Sequence, residues 1–325
     1  MSKKDKKHKE EKKNKGKDKQ HYKNGAEALG VEPLAARGYA DGSPLDMITY
    51  LEAKLILKPD NFTSVQAFRD FGKIVKQSAK RTDVGFISDP ETDLRPQIRE
   101  ITFYDTPDFR LYNNAYILRR RISYVDGFPV GEPEIVFKYR HPDEQAATAK
   151  DVRPNIAGKY KIKFKAEALP LKEEVGGYRI LYSHNCQFGL SQMHDADKNS
   201  MATLSHVFPV LAPLVKVEGE HVSLVNGGIV EEVLLPLGQL DFGKGLVGKC
   251  DIGLWRTRGE HKSLVGEFAF QVQFPDRAAV AEKQKKVAAQ FYVTLQQDVQ
   301  GWLALGVTKT AMVYRLNGNE PQSHE

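Results

Sequence analysis

Residues 159–167 read KYKIKFKAE, and the fold follows from how that alternation is read. Successive side chains of a strand point to opposite faces. Lys159, Lys161, Lys163, Lys165 and Glu167 therefore share one face, and Tyr160, Ile162, Phe164 and Ala166 the other. A strand with one solvated face ordinarily mixes charge signs with Thr, Ser or Gln on that face. Here the polar face is almost purely cationic.

Other stretches repeat the pattern. EIVFKYR (134–140) sets Lys138 and Arg140 against Ile135, Phe137 and Tyr139. ILRRRIS (117–123) puts Arg119 and Arg121 on one face, with Leu118, Arg120 and Ile122 opposite. ITYLEAKLIL (48–57) sets Tyr50, Glu52 and Lys54 against Leu51, Ala53, Leu55 and Leu57. GEFAFQVQF (266–274) opposes Glu267, Ala269, Gln271 and Gln273 to Phe268, Phe270, Val272 and Phe274. TKTAMVYRL (308–316) reads as a last strand, with Lys309 and Arg315 opposite Met312 and Tyr314. Weaker strands are expected near 214–225, 229–235 and 249–257.

Helical spacing appears at 63–80, through Val65, Phe68, Ile74 and Val75, and more clearly at 276–305. There Val280, Val287, Phe291, Leu295, Val299, Trp302 and Leu303 make an apolar stripe, and Asp276 is placed to cap it. A short helix is expected around 200–212, limited by Pro209 and Pro213.

Two arrangements accommodate such strands. One is an ordinary sheet with a solvated outer side. The other is a barrel turned inside out, with charged faces lining a tunnel and apolar faces covered by helices; closure also removes exposed sheet edges. Clustered cations repel unless an anion sits among them, which favours the second. The expected fold is mainly β (α+β): a closed antiparallel eight-stranded barrel with helices packed outside.

Several strands of Lys and Arg facing one cavity would bind a polyanion, Arg through bidentate contacts to phosphate and Lys as a point charge. Glu52 and Glu267, with Glu167, Glu218 and Asp251 as further candidates, would add carboxylates. Carboxylates in a phosphate site commonly hold Mg2+ or Mn2+. Such parts suit phosphoryl transfer or hydrolysis, where catalysis is mainly positioning and electrostatics.

The segment ITFYDTPDFRLYNNAYILRRR (101–121) resembles a signature of the CYTH, or triphosphate tunnel metalloenzyme, superfamily. YLEAKL (50–55) sits where that family has an ExExK strand, VFKYR (136–140) resembles the following lysine strand, and the long helix followed by TKTAMVYR (308–315) resembles its closing segment. The resemblance spans about residues 46–316. It implies hydrolysis of inorganic triphosphate, thiamine triphosphate or RNA 5′-triphosphates, cyclisation of ATP, or handling of polyphosphate. Residue by residue it implies Glu52 as a metal ligand and Lys54, Arg119, Arg121, Lys138 and Lys309 as phosphate ligands, with Lys163, Lys165 and Glu267 on thinner local motifs. Glu52 and Lys54 are the candidate catalytic pair. Arg119, Arg121, Lys138, Arg140, Lys163, Lys165 and Lys309 are the candidate phosphate ligands, and Glu52 and Glu267 the metal ligands. The sequence departs from the family at three points: Tyr50 replaces the first carboxylate of ExExK, and Ala269 and Gln271 stand where the late ExE-type strand would carry another. A metal-dependent triphosphatase and a phosphate-binding protein without turnover both remain open, as does a scaffold that kept only the barrel.

Other motifs are weaker. GKGLVGKC (243–250) contains a GxGxxG and most of a P-loop, but both need a helix directly afterwards, and CDIGLWRTR reads as a strand. A hairpin loop is expected there. His184, Cys186, His194 and Asp195 have no zinc spacing and are expected in a surface loop. Cys186 and Cys250 are too few for a disulfide framework, which favours free thiols in a reducing, cytoplasmic setting.

The chain has 325 residues, a net charge of +6 and 41% hydrophobic residues, a composition unlike a disordered chain. Residues 1–24 carry eleven lysines against four acidic residues, an excess of seven, so the other 301 residues carry a single net negative charge. The expected division is a disordered lysine-rich tail (1–24), a linker (25–45), the barrel (46–318) and a short C-terminal tail (319–325). The tail would attract polyanions weakly and without specificity. It lacks the apolar face that membrane insertion needs.

Overall fold

The computed structural model describes residues 47–88, 95–318 and 321, so the expectations for the N-terminal tail, the linker and nearly all of 319–325 lie outside the described residues. In chain order the elements are β1 (Tyr50–Leu57), α1 (Val65–Arg81), β2 (Gly85–Ile87), β3 (Gln97–Asp105), α2 (Arg110–Asn113), β4 (Tyr116–Val125), β5 (Phe128–His141) and α3 (Glu144–Thr148). After these come β6 (Lys161–Pro170), β7 (Tyr178–Gly189), α4 (Met201–Val207), β8 (Ser223–Asp241), β9 (Val247–Thr257), β10 (Ser263–Gln273), α5 (Glu282–Asp298) and α6 (Lys309–Tyr314).

The sheet runs β8-β3-β4-β5-β7-β6-β1-β10-β9, and β9 pairs back onto β8, so it closes into a nine-stranded barrel. Strand β2 hangs from β8 outside the ring. The ring has one strand more than expected and is mixed: β1 pairs with β6 in parallel, while its other neighbours are antiparallel. The parallel join places Glu52 beside Glu167.

Outward faces are apolar and mostly covered, except at Tyr178 and at the β4–β5 tip, where Val125, Phe128 and Val130 are exposed. Against β1, β8, β9 and β10 lie α1 and α5, through Phe68, Phe71, Val75, Phe291, Tyr292 and Leu295. Trp302 wedges between Phe62 and Phe71 at ring distances of 5.5 and 5.3 Å. Gly266 is required beneath this contact, because a Cβ there would meet the Phe62 ring at 2.3 Å. The other side of the barrel, β4–β7, is covered by α4 and the 3-10 turn Pro209–Leu214, with Phe208 stacked on Phe137 at 4.1 Å.

Four expectations are corrected. The 308–316 stretch is not a strand: Thr308 accepts a hydrogen bond from the Ala311 amide, caps the chain and starts α6. Residues 214–222 form the end of a 3-10 turn and a loop, and β8 starts only at Ser223. His184 and Cys186 lie buried on β7, not in a loop; only His194 and Asp195 do. The 276–305 helix is shorter: Asp276 caps a 3-10 turn (Arg277–Ala279), and α5 begins after Ala281. The 243–246 loop is the expected β8–β9 turn, followed by a strand. Among the described residues no helix is long and apolar enough to cross a membrane.

Candidate functional site

Alternation carries the polar face of each strand into the barrel. At one end the inward residues are apolar: Ile56, Ile101, Phe103, Ile117, Leu169, Leu181, Val230, Trp255 and Val265 are buried in one cluster with Val313 and Tyr314 of α6. That end of the tunnel is plugged. Two residues further along most of these strands the lining becomes charged (Lys54, Arg99, Arg119, Glu167, Glu232 and Glu267), and exposure rises toward Lys161 at the other end.

The charged zone has two centres. In the first, Glu167 is wholly buried. Its Oε1 accepts from Lys138 Nζ and Ser183 Oγ, both at 2.5 Å. Its Oε2 lies 3.1 Å from Lys54 Nζ and 3.7 Å from an Arg140 guanidinium nitrogen. Its neighbour Glu52 receives Lys54 at 2.9 Å and Lys165 at 3.2 Å on Oε2, while the Gln271 amide donates to Oε1 at 3.2 Å. Burial alone would raise both carboxyls. Lys165 and Lys54 hold Glu52 far below the usual range, and Lys138 and Lys54 do the same for Glu167. Lys54 is driven the other way: against its burial, Glu167 and Glu52 keep it firmly protonated. Lys138 falls well below a normal lysine, through burial and the nearby Lys54 and Arg140, despite Glu167.

The second centre surrounds Glu232, which accepts from Trp255 Nε1 at 2.8 Å and meets Lys309 at 3.3 Å and Arg99 at 2.7 Å. Burial opposes ionisation here too, but Lys309 and Arg99 bring it down to about 2. Lys309 also reaches Glu267 at 2.7 Å and lies 4.5 Å over the Trp255 ring. For Asp251 nearby, the same Lys309 and Arg99 are outweighed. Burial, then Glu232 and Glu267, push its carboxyl up to about 7.

Between the centres stand cations without carboxylate partners. Arg119 makes no hydrogen bond or ion pair with any described residue. Its side chain is water-accessible through the tunnel yet enclosed by protein, and burial and the adjacent Arg121 lower it to about 10. Among the described residues, the polar partners of Lys163 are the Gln271 side-chain carbonyl at 3.4 Å and the Tyr50 ring at 4.7 Å. Burial and Lys165 depress it too. Arg121, beside them, is paired to Glu134.

All the candidate residues thus line one tunnel: Glu52, Lys54, Arg119, Arg121, Lys138, Arg140, Lys163, Lys165, Glu267 and Lys309. Lys309 arrives from the start of α6 rather than from a strand. Glu218 does not belong, since it lies exposed in a turn. The sequence reading missed Arg99, Glu232, Trp255, Ser183 and Asn185. The alternation of Ile180, Tyr182, Cys186 and Phe188 was a signal for β7, but its inward face is uncharged. Cys186 and Cys250 are buried free thiols, raised by burial well above the usual value and to about 12 respectively, the opposite of the lowered value that activates a thiolate.

A resident Mg2+ or Mn2+ fits this donor set poorly. Glu52 and Glu267 do not pair: Glu52 stands across from Gln271, and Glu267 across from Ile56. Among the described residues no three His, Cys, Asp or Glu side chains group to hold a metal.

Fold and site together define a closed barrel with a cation-rich interior, a class suited to binding polyanions. No protein-family model matches the chain, and no curated protein matches it. Solved structures with some likeness include a Hippeastrum protein, HpAC1, studied as an adenylyl cyclase and found to have a dominant triphosphatase activity: 13% identity, TM-score 0.40, 84% of this chain and 98% of that one. Another is a Bacillus halodurans protein designated an adenylate cyclase, at 10% identity and TM-score 0.36 over 81% of this chain and 95% of that one. A third is the Pyrococcus horikoshii protein PH1819, at 14% and 0.30 over 75% and 89%. Likenesses this remote carry no inference about chemistry, and the barrel rests on its own strand pairing.

Proposed function

We propose that the chain is a CYTH-like phosphohydrolase whose tunnel takes the triphosphate group of a small molecule (inorganic triphosphate, thiamine triphosphate or a nucleotide) and cleaves an anhydride bond. One observation carries this reading: Arg119 and Lys163 stand inside the tunnel beside like charges, and among the described residues no carboxylate makes an ion pair with either, Glu232 and Glu52 acting on them only from a distance. A buried cation without a counter-ion is costly, and a polyphosphate chain would supply one. In this reading Arg119, Arg121 and Lys163 hold the phosphates first. Lys54, Lys138, Arg140, Lys165 and Lys309 add charge that stabilises the oxygens as negative charge shifts onto them. With one end plugged, the phosphate chain enters from the other, which leaves any organic group at the open mouth near Tyr50.

Arg119→Ala tests it. Losing a charge-assisted hydrogen bond costs about 1.5–3 kcal/mol, so tripolyphosphate affinity should fall about tenfold or more by calorimetry, and phosphate release with it. Stability should hold or rise, because an unpaired buried charge is removed. Unchanged affinity would refute the tunnel as the site.

The second reading is binding without turnover. Tyr50 and Gln271 favour it: the resemblance implies a carboxylate at each, and Tyr50 precedes Glu52 by two residues on β1 while Gln271 stands across from it. Tight, salt-sensitive binding with no phosphate release above that of Glu52→Ala would decide for it.

A further inference from the structure

The carboxylates of the tunnel are occupied in a way that bears on the metal the resemblance implies. Both oxygens of Glu52 are engaged, Oε2 by two ammonium groups and Oε1 by the Gln271 amide. Gln271 in turn accepts from Lys163, so its amide is oriented with nitrogen toward Glu52. Both oxygens of Glu167 are also taken, by Lys138 and Ser183 on one and Lys54 and Arg140 on the other. Glu232 accepts hydrogen bonds from Trp255 and Lys309 on Oε1, and the Arg99 guanidinium sits against Oε2 as an ion pair without hydrogen-bond geometry. Glu267 meets Lys309.

Charge balance points the same way. Lys54, Arg99, Arg119, Lys138, Arg140, Lys163, Lys165 and Lys309 outnumber the carboxylates among them. A divalent ion would have to enter a wall that is already positive, and Coulomb repulsion at these distances is large in an enclosed site. Mg2+ also demands near-octahedral oxygen ligands and gives up its waters reluctantly. Tyr50 and Gln271, flanking Glu52, offer a ring and an amide where two further anionic oxygens would be needed.

We infer that the tunnel binds its polyphosphate anion without a divalent cation, the ammonium groups of Lys54 and Lys165 standing at Glu52 where an ion would otherwise sit. This rests on the reading of the tunnel as a polyphosphate site. The ammonium groups contribute fixed positive charge and hydrogen-bond donors, and can swing from Glu52 to a phosphate oxygen when the anion arrives.

The experiment is calorimetric titration of the full chain with sodium tripolyphosphate, in EDTA and again in excess Mg2+ at matched ionic strength. The expected result is binding in EDTA, with affinity in Mg2+ equal within about threefold or weaker, because Mg2+ also chelates the ligand. Lys165→Ala should lose about tenfold or more in EDTA. Tyr50→Glu/Gln271→Glu, which restores carboxylates beside Glu52, should make binding depend on Mg2+. Binding by the natural chain only in Mg2+, or more than about tenfold tighter there, overturns this inference and leaves the polyphosphate reading standing. No binding in either buffer overturns both.

Discussion

Glu167 concentrates the electrostatics of the tunnel in one side chain. It is fully buried, shared by Lys54, Lys138 and Arg140, and hydrogen-bonded to Ser183. Removing one member of such a buried set costs about 3–5 kcal/mol, because the partners keep their charge. Glu167→Gln should therefore lose that much stability in urea denaturation. It should also bind tripolyphosphate more tightly, because the released cations gain a partner only from the ligand. A loss of both stability and affinity would mean that Glu167 mainly holds the lysines in position. The same carboxylates set an acid limit. The folded-state values of Glu167, Glu52 and Glu232 are depressed below the ordinary 4.5, Glu232 to about 2. Their contribution is complete above about pH 4.5 and disappears as pH falls through the folded values. Stability should decline steeply between about pH 4.5 and 2, with a shallower slope in Glu167→Gln, as measured by melting temperature across that range.

At the scale of elements, α6 shows what the sequence could and could not convey. TKTAMVYRL alternates well enough to resemble a strand, and its β-branched residues support that reading. The choice is made by tertiary contacts. Thr308 caps the first turn, Tyr314 stacks on Tyr112 at 4.2 Å, and the Tyr314 hydroxyl donates to Asp105 at 3.0 Å. Asp105 accepts from the Leu111 and Tyr112 amides as well, so one carboxylate ties β3, α2 and α6 together. The cap is local, but Tyr112 and Asp105 are far from Tyr314 in sequence. The strands carrying Glu52, Arg119, Lys138, Lys163 and Glu267 were legible because charge alternated with bulk apolar residues. Strand β7 was not, because Ser183, Asn185 and Gln187 put no charge on its inner face. Arg99 and Glu232 were missed for a related reason: each needs the other, across β3 and β8, to be recognised as a site. Thr308→Ala should cost about 1 kcal/mol through the lost cap. Because Lys309 is the next residue, tripolyphosphate affinity should fall too. A stability loss with unchanged affinity would show that Lys309 is positioned by its contacts to Glu232 and Glu267 alone.

For the whole molecule, the net charge of +6 is the sum of two unlike parts: an excess of seven positive charges in residues 1–24 and one negative charge over the rest. The body's clustered lysines Lys54, Lys138, Lys165 and Lys309 lie inside the barrel, largely shielded from solvent. The tail's charges are all on side chains of a segment with no aliphatic residue beyond Met1. Long-range attraction to nucleic acid should come from the tail and fall steeply with salt, in proportion to the phosphates neutralised. Binding of a short phosphate chain should come from the tunnel, where enclosure by protein limits screening. Deleting residues 1–24 should therefore weaken filter-retained binding of a random single-stranded RNA at about 50 mM salt by about tenfold or more, and flatten its salt dependence. Tripolyphosphate affinity of the same protein should stay within about threefold of the full chain. If the deletion lowers both in parallel, the tail feeds or completes the tunnel, and the two charge systems are one.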